Sequence, residues 1–254
     1  MLSKDKKYSR FNNVIYEDGQ PIIYLKHKFI DLENLTDYQI DYMNRFLNMY
    51  NELFTKTQPM AKIIKMFYDL ETTGTDVKKH SIHQIYGCIE VDDVVVEEFD
   101  FRVKPNPKAL IEEEALKVSN VTEEQILGYE EMIVIYRRLL KLLGKYVDRF
   151  NPREKIFLVG FNNRKFDDPF LRAWFEQNGD QFFGSWFWSD SLDVMVLASQ
   201  YLLSRRASMQ SFKLKRVALE LGLEVDESKL HDAAYDTYLL REVYRIVTGL
   251  EYEI

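Results

Sequence analysis

From residue 61 onward the sequence predicts an α/β domain built on a central mixed β-sheet, and three observations carry that prediction. Ile63 to Leu70 is almost continuously apolar, the composition of a strand buried on both faces. Ser81 to Val91 and Val94 to Val103 follow, joined at Asp92-Asp93, and read as two strands of a meander. Segments of helical periodicity then alternate with one more short apolar run, Lys155 to Gly160. Strands first in a meander and then alternating with helices give a sheet flanked by helices.

The elements fall in order along the chain. Residues 1–58 form an accessory segment, and residues 59–254 form the main domain. In the first, Asp18-Gly19 between Val14-Ile15-Tyr16 and Ile22-Ile23-Tyr24-Leu25 marks a hairpin, and Pro21 places its second strand at a sheet edge. Ile40, Met43, Phe46, Leu47, Tyr50, Leu53 and Phe54 recur at helical spacing behind Thr36 or Asp37 as N-cap, so the extension is a hairpin plus an amphipathic helix. An apolar stripe needs cover, and packing on the main domain is the expected use, with docking of a partner as the alternative. Further on, Met132, Ile135, Tyr136, Leu139, Leu140 and Leu143 predict a helix from about Glu130 to Val147. Helices at about 167–178, 193–203, 211–221 and 233–247 complete the main domain. Trp174, Trp186, Phe187 and Trp188 are expected in core packing.

Composition removes several classes of function. The chain has 254 residues, 46% of them hydrophobic, and a formal net charge of −7. That is enough apolar material to exclude disorder as the dominant state. The net acidity argues against bulk attraction to nucleic acid and leaves a local basic groove open, with Arg205, Arg206, Lys213, Lys215, Arg216, Lys78 and Lys79 as candidates. No apolar run approaches the roughly 18 residues of a membrane span, and the basic N-terminus lacks a following apolar stretch, so no membrane association and a cytoplasmic location are expected. A single cysteine, Cys88, excludes an intramolecular disulfide, a Cys-rich zinc site and an iron–sulfur cluster. Any metal must be held by oxygen or imidazole ligands.

Three acidic positions carry the chemistry. In Tyr68-Asp69-Leu70-Glu71-Thr72-Thr73-Gly74 the two carboxylates are two residues apart in a strand and project from one face, where their repulsion calls for cations or water. Divalent metals about 3.5 to 4 Å apart suit such ligands. In Asn163-Arg164-Lys165-Phe166-Asp167-Asp168-Pro169-Phe170-Leu171 a strand end leads into a helix whose first turn holds Pro169. Asp167 shares a helical face with Phe170 and Leu171 and is expected to point inward, and Asp168 outward. In His231-Asp232-Ala233-Ala234-Tyr235-Asp236, Asp236 lies on the apolar stripe of Leu239, Leu240, Val243 and Val247, opposite Arg241 and Arg245. A buried carboxylate there needs a metal, a basic partner or a proton. His231, just before the helix, is placed to act as a base, whereas His27, His80 and His83 read as structural.

Together these motifs resemble the DEDDh family of 3′-to-5′ exonucleases, the ribonuclease H-like group that includes polymerase proofreading subunits, ribonuclease T and oligoribonuclease. The resemblance covers about residues 62–248. Its first motif is matched at Asp69 to Gly74, the second at Asn163 to Leu171 and the third at His231 to Asp236. Val118 to Thr122 looks like the segment that usually reads His-Gly-Ile-Thr, with Ser119-Asn120 in place of His-Gly. Asp193 to Ala198 looks like the family's Asp-Thr-Leu helix start, and Asn162 stands where many members have His. Residues 1–58 have no counterpart in the minimal family domain.

The resemblance implies a ribonuclease H-like fold and a two-metal mechanism. Asp69 would bridge two Mg²⁺ or Mn²⁺ ions, Glu71 and Asp236 would complete one site, and Asp167 would hold the second ion directly or through water. His231 would deprotonate the attacking water, with Leu70, Thr72 and Phe166 lining the terminal nucleotide. The implied substrate is single-stranded nucleic acid, with DNA slightly favoured over RNA, and the products are nucleoside monophosphates. Two other classes stand beside this one: a catalytically retired nucleic-acid-binding or assembly module, and a metal-dependent phosphoesterase of small nucleotides. All five site residues being present favours the enzyme.

Overall fold

The computed structural model describes residues 8–11, 14–17, 20–24, 45, 62–229 and 232–249. The chain divides into two units, Met1–Ala61 and Lys62–Ile254. In the first, strands β1 (Tyr8–Phe11), β2 (Val14–Glu17) and β3 (Gln20–Tyr24) pair in the order β1-β2-β3, antiparallel throughout. The hairpin expected around Asp18-Gly19 is β2–β3, with Glu17 opposite Gln20. Pro21 sits on the edge strand, opposite Tyr16, where the register shifts. Strand β1 is an addition: its four residues are too short to show an alternation, and Asn12-Asn13 between Phe11 and Val14 are residue types suited to a tight turn. Apart from Arg45, the amphipathic stripe at 40–54 lies outside the described residues, as do His27 and the N-cap candidates Thr36 and Asp37.

The second unit is built on a five-stranded sheet. Strands β4 (Ile64–Thr72), β5 (Ile82–Val91) and β6 (Val94–Arg102) form the antiparallel meander, and β7 (Phe157–Gly160) and β8 (Leu192–Asp193) add parallel to β4. The order is β6-β5-β4-β7-β8, so β4 is central. The β5–β6 turn is Asp92-Asp93, with φ of 50° and 68°, the left-handed pair that a two-residue hairpin of matching twist requires.

Helices cover both faces. Alternation along β4 sends Met66, Tyr68 and Leu70 to one face, where they meet Ile135 and Leu139 of α3 (Met132–Leu143) and Phe170 and Trp174 of α4 (Asp167–Gln177). Phe67 and Val159 face the other layer, packed with α5 (Val194–Tyr201), α6 (Leu214–Glu220) and α7 (Ala233–Thr248). Trp174, Trp186 and Phe187 are core residues, as expected, and Trp188 is half-buried. The helix expected over 130–147 is shorter, ending at Leu143 before Gly144.

Two short helices, α1 (Glu113–Val118) and α2 (Glu123–Leu127), fill a region with no helical stripe long enough to recognise. Helix α2 is specified by its cap. Thr122 accepts from the Gln125 amide at 3.2 Å and the Gln125 side chain accepts from the Thr122 amide at 2.7 Å. Among the described residues, no helix is long and apolar enough to cross a membrane.

Candidate active site

The site forms at the carboxyl ends of the parallel strands, where open α/β sheets place their ligands. The β4–β7 register ends at Phe67 opposite Val159, but β4 runs on to Thr72. Asp69 and Glu71 stand on that extension, half-buried and on one face. Helix α4 begins after β7 and brings Asp167, 5% exposed, to the same end of the sheet from one layer. Helix α7 brings Asp236 from the other, four residues into a helix whose N-cap, Asp232, accepts from the Ala234 and Tyr235 amides at 3.0 Å each. The structure thus gathers Asp69, Glu71, Asp167 and Asp236. His231 lies outside the described residues.

Electrostatics registers how close the four are. Burial, then the charges of Asp167, Glu71 and Asp236, push Asp69 well above the ordinary carboxylate range. Glu71 is pushed up to about 7 by burial and by Asp236, against the opposing pull of a Ser119 hydrogen bond and of Arg102. Burial and Asp168 raise Asp167, while hydrogen bonds from the backbone, Leu70 included, oppose the rise. The backbone of Leu70 serves Asp69 in the same way.

Among the described residues, no group of three or more His, Cys, Asp or Glu side chains is gathered tightly enough to hold a metal ion. The chemistry of the donor set fits divalent cations all the same. Four hard oxygen donors crowd one end of a sheet, their charges disfavour joint ionisation, and a hard cation relieves that conflict.

The proposed lining residues occupy three settings. Leu70 is 5% exposed and belongs to the core of the first layer, Thr72 is buried with its hydroxyl donating to the Gly74 carbonyl at 2.8 Å, and Phe166 is half-buried against Phe170 with ring centroids 5.1 Å apart. Gly74 is set by close approach, since a Cβ there would lie 2.4 Å from the His80 ring. Thr73 closes the same turn, donating to the Leu110 carbonyl at 2.7 Å and accepting from the Ser81 amide at 3.0 Å.

One expectation is corrected by the structure. Asp168 does not point outward: it is half-buried and accepts from Tyr68 Oη at 2.5 Å, Ser191 Oγ at 2.5 Å and Asn163 Nδ2 at 3.1 Å. The helical-face rule describes the flank of a helix, whereas Asp168 is in the first turn, where β4 and the segment before β8 meet the helix end. Burial and the nearby Asp168 and Asp167 charges hold the Tyr68 phenol well above its ordinary pKa, so it remains a donor. Arg241 and Arg245, which the helical wheel set opposite the stripe, have a buried partner. Both turn toward Glu90, which is 1% exposed on β5.

The weaker family matches also find their places around the site. Ser119 touches both Glu71 and His83, whose Nε2 lies 3.2 Å from its Oγ. His83 is fully buried, and burial together with Arg102 pushes it down to about 4, so it is neutral and structural as expected. Asp193 caps α5 through the Met195 amide at 3.0 Å and also accepts from the Asn162 amide at 2.9 Å, fixing the loop that precedes α4. Of the basic candidates, Arg205 and Arg216 pair with Glu220, Lys215 with Glu227 and Lys79 with Asp76, while Arg206 stacks over Phe212 at 4.4 Å.

Comparison with known proteins places this arrangement. The RNase T exonuclease family model matches residues 66–244, which takes in Asp69, Glu71, Asp167, His231 and Asp236. The chain belongs to this exonuclease family. By family it falls in the DEDDh type of 3′-to-5′ exonucleases, and its fold is ribonuclease H-like.

Relatives include the PolC-type DNA polymerase III of Mycoplasma genitalium, 26% identical over 185 residues, and that of Mycoplasmopsis pulmonis, 26% identical over 178 residues. Each alignment covers 70% of this chain and 11% of the polymerase, so the chain spans about a tenth of those relatives' length. Among solved structures, the zinc-bound E. coli Exonuclease I complex with single-stranded DNA superposes with a TM-score of 0.60 at 22% identity, over 74% of this chain and 40% of that one. The complex of the same enzyme with a dT13 oligonucleotide gives 0.58 at 22% identity, over 73% and 41%. The fold is shared with Exonuclease I, and the family uses divalent metals.

Proposed function

We propose that this exonuclease removes nucleotides one at a time from the 3′ end of single-stranded nucleic acid, DNA in preference to RNA, with two Mg²⁺ or Mn²⁺ ions. The observation that carries the reading is the meeting of Asp69, Glu71, Asp167 and Asp236 at the carboxyl end of β4, close enough that the other three raise the proton affinity of Asp69 and Asp236 raises that of Glu71. The matched Exonuclease I complexes contain single-stranded DNA and the matched polymerases are DNA polymerases, which supports DNA as the substrate.

In this reading Asp69, Glu71, Asp167 and Asp236 would hold the cations. When bound, the cations supply Lewis acidity to the scissile phosphate and to the attacking water. His231, as neutral imidazole, takes a proton from that water as its oxygen attacks phosphorus in line with the departing 3′-oxygen. The bond to that oxygen breaks, the oxygen takes a proton from solvent to become the new 3′-hydroxyl of the shortened strand, and a nucleoside monophosphate leaves. Ser119 steadies the Glu71 carboxylate through its hydroxyl. Leu70, Thr72 and Phe166 form the wall against which the terminal nucleotide is splayed, which a paired end resists.

The deciding experiment uses 5′-labelled DNA and RNA oligonucleotides with Mg²⁺ or Mn²⁺. A descending ladder from the single strand, faster on DNA, and survival of a single-stranded circle are expected. Cutting of the circle would identify an endonuclease, and hydrolysis of small nucleotide esters alone would identify a phosphoesterase.

A further inference from the structure

Asp167 is followed by a second carboxylate that the reaction does not use, and β4 holds the two of them with alternate positions of one strand. The backbone of Leu70 hydrogen-bonds to Asp167, and Tyr68, two residues earlier, donates from Oη to Asp168 at 2.5 Å. Asp69 lies between these two contacts. Two further segments close on the Asp168 carboxylate: Ser191, just before β8, donates at 2.5 Å, and Asn163, in the turn after β7, donates at 3.1 Å. The Asp168 amide in turn donates to the Asn163 carbonyl at 2.8 Å.

All three donors are side chains the fold has already locked. Tyr68 is 1% exposed, Asn163 0% and Ser191 8%. Asn163 is seated by Gly160, where a Cβ would come within 2.6 Å of the Asn163 Cβ. No side-chain cap holds this helix start, because Phe166 occupies the N-cap position. The start also carries Asp167 beside Asp69, and the two carboxylates repel each other whenever both are ionised.

We propose that Asp168, gripped by Tyr68, Ser191 and Asn163, is a positioning residue that holds the start of α4 on β4 and so keeps Asp167 in place to receive a divalent cation opposite Asp69. Cation affinity depends on how well the groups behind the ligands fix them, and loss of such support costs about 10- to 100-fold in affinity or activity. This inference rests on the two-metal reading, and adds to it a reason for the second carboxylate of Asp167-Asp168.

The test is Mn²⁺ titration calorimetry on the full chain, paired with oligonucleotide kinetics, for the unsubstituted protein, Asp168→Ala, Asp168→Asn and Tyr68→Phe. Asp168→Ala is expected to weaken Mn²⁺ binding about tenfold or more and to lower kcat. KM for the oligonucleotide should stay within about twofold, and excess Mn²⁺ should restore much of the rate. Asp168→Asn, which keeps an accepting oxygen, should recover part of the affinity. Tyr68→Phe should shift Mn²⁺ affinity in the same direction as Asp168→Ala, and it decides the matter if Asp168→Ala fails to fold. Unchanged Mn²⁺ affinity in folded Asp168→Ala or in Tyr68→Phe would overturn the proposal, as would a lost kcat that excess Mn²⁺ cannot relieve. Failure of the two-metal reading itself shows separately, as absence of Mn²⁺ binding by the unsubstituted protein, and removes this inference with it.

Discussion

Glu90 of β5 accepts two hydrogen bonds from Arg241 of α7, from Nε at 2.9 Å and from Nη2 at 2.7 Å. Lys65 of β4 completes the pairing at 3.4 Å from the other carboxylate oxygen and is bonded in turn to Asp93. This buried network joins the strand of the first motif to the helix of the third, five residues beyond Asp236. Removing Glu90 leaves the largely buried Arg241 guanidinium without its paired carboxylate and Lys65 with Asp93 alone, so Glu90→Ala should cost about 3 to 5 kcal/mol of folding stability. Urea denaturation measures this, and a loss below about 1 kcal/mol would show that water reaches the cations and satisfies them.

The carboxylates should respond in the opposite sense. Asp69→Asn or Asp236→Asn removes one of four mutually repelling charges, so the metal-free protein should be at least as stable as its parent. Turnover should fall by at least about a hundredfold, about 2.7 kcal/mol of transition-state stabilisation. Stability and single-turnover rate measured on the same preparation separate the two effects. A variant with near-normal turnover would remove that residue from the cation site.

The four carboxylates were legible because each stood where a local rule made it anomalous. Asp69 and Glu71 shared a face of an apolar strand, Asp167 opened a helix on its inward face, and Asp236 interrupted an apolar stripe. The sheet and its long helices were legible for the same reason, since periodicity repeats over many residues. Contacts made at the ends of elements were not. Asp168, Ser191 and Tyr68 come from three segments more than 20 residues apart, and their meeting follows from how β4, β8 and α4 end together. The pairing of Arg241 with Glu90 spans 151 residues, and a helical wheel, which sorts faces within one helix, carries no sign of a partner on a distant strand. Helix α2 was missed although its capping box, Thr122 to Gln125, is written in the sequence.

Stability of the metal-free protein should fall with rising pH. The folded chain raises Glu71 to about 7, and Asp69 and Asp167 are raised as well, whereas unfolded carboxylates titrate near 4. Through that window the folded state keeps protons that the unfolded state has released, so each rise in pH favours unfolding until the folded carboxylates also ionise, near 7 for Glu71. Divalent cation should reverse the trend, stabilising more at about pH 8 than at about pH 5 because it competes with those protons. Thermal melts with chelator and with Mn²⁺ across this range make the comparison, and a metal-free melting temperature that climbs from about pH 5 to about pH 7 would contradict the crowding of the four acids.

The last prediction separates the proposed base from the ligands by their response to metal. Two sources can produce an acid limb in the rate: protonation of His231, with an ordinary value of about 6.5, and protonation of Glu71, raised to about 7 in the absence of cation. Cation and proton compete for Glu71, so a limb belonging to the carboxylates should move to lower pH as Mg²⁺ or Mn²⁺ is raised. A limb belonging to His231 should stay in place. At saturating metal the profile should therefore show a rise through about 6 to 7, which His231→Ala flattens while Mn²⁺ affinity stays within about twofold. If the limb instead persists in His231→Ala and slides with metal concentration, proton removal belongs to water polarised at the cation site, and His231 has another use.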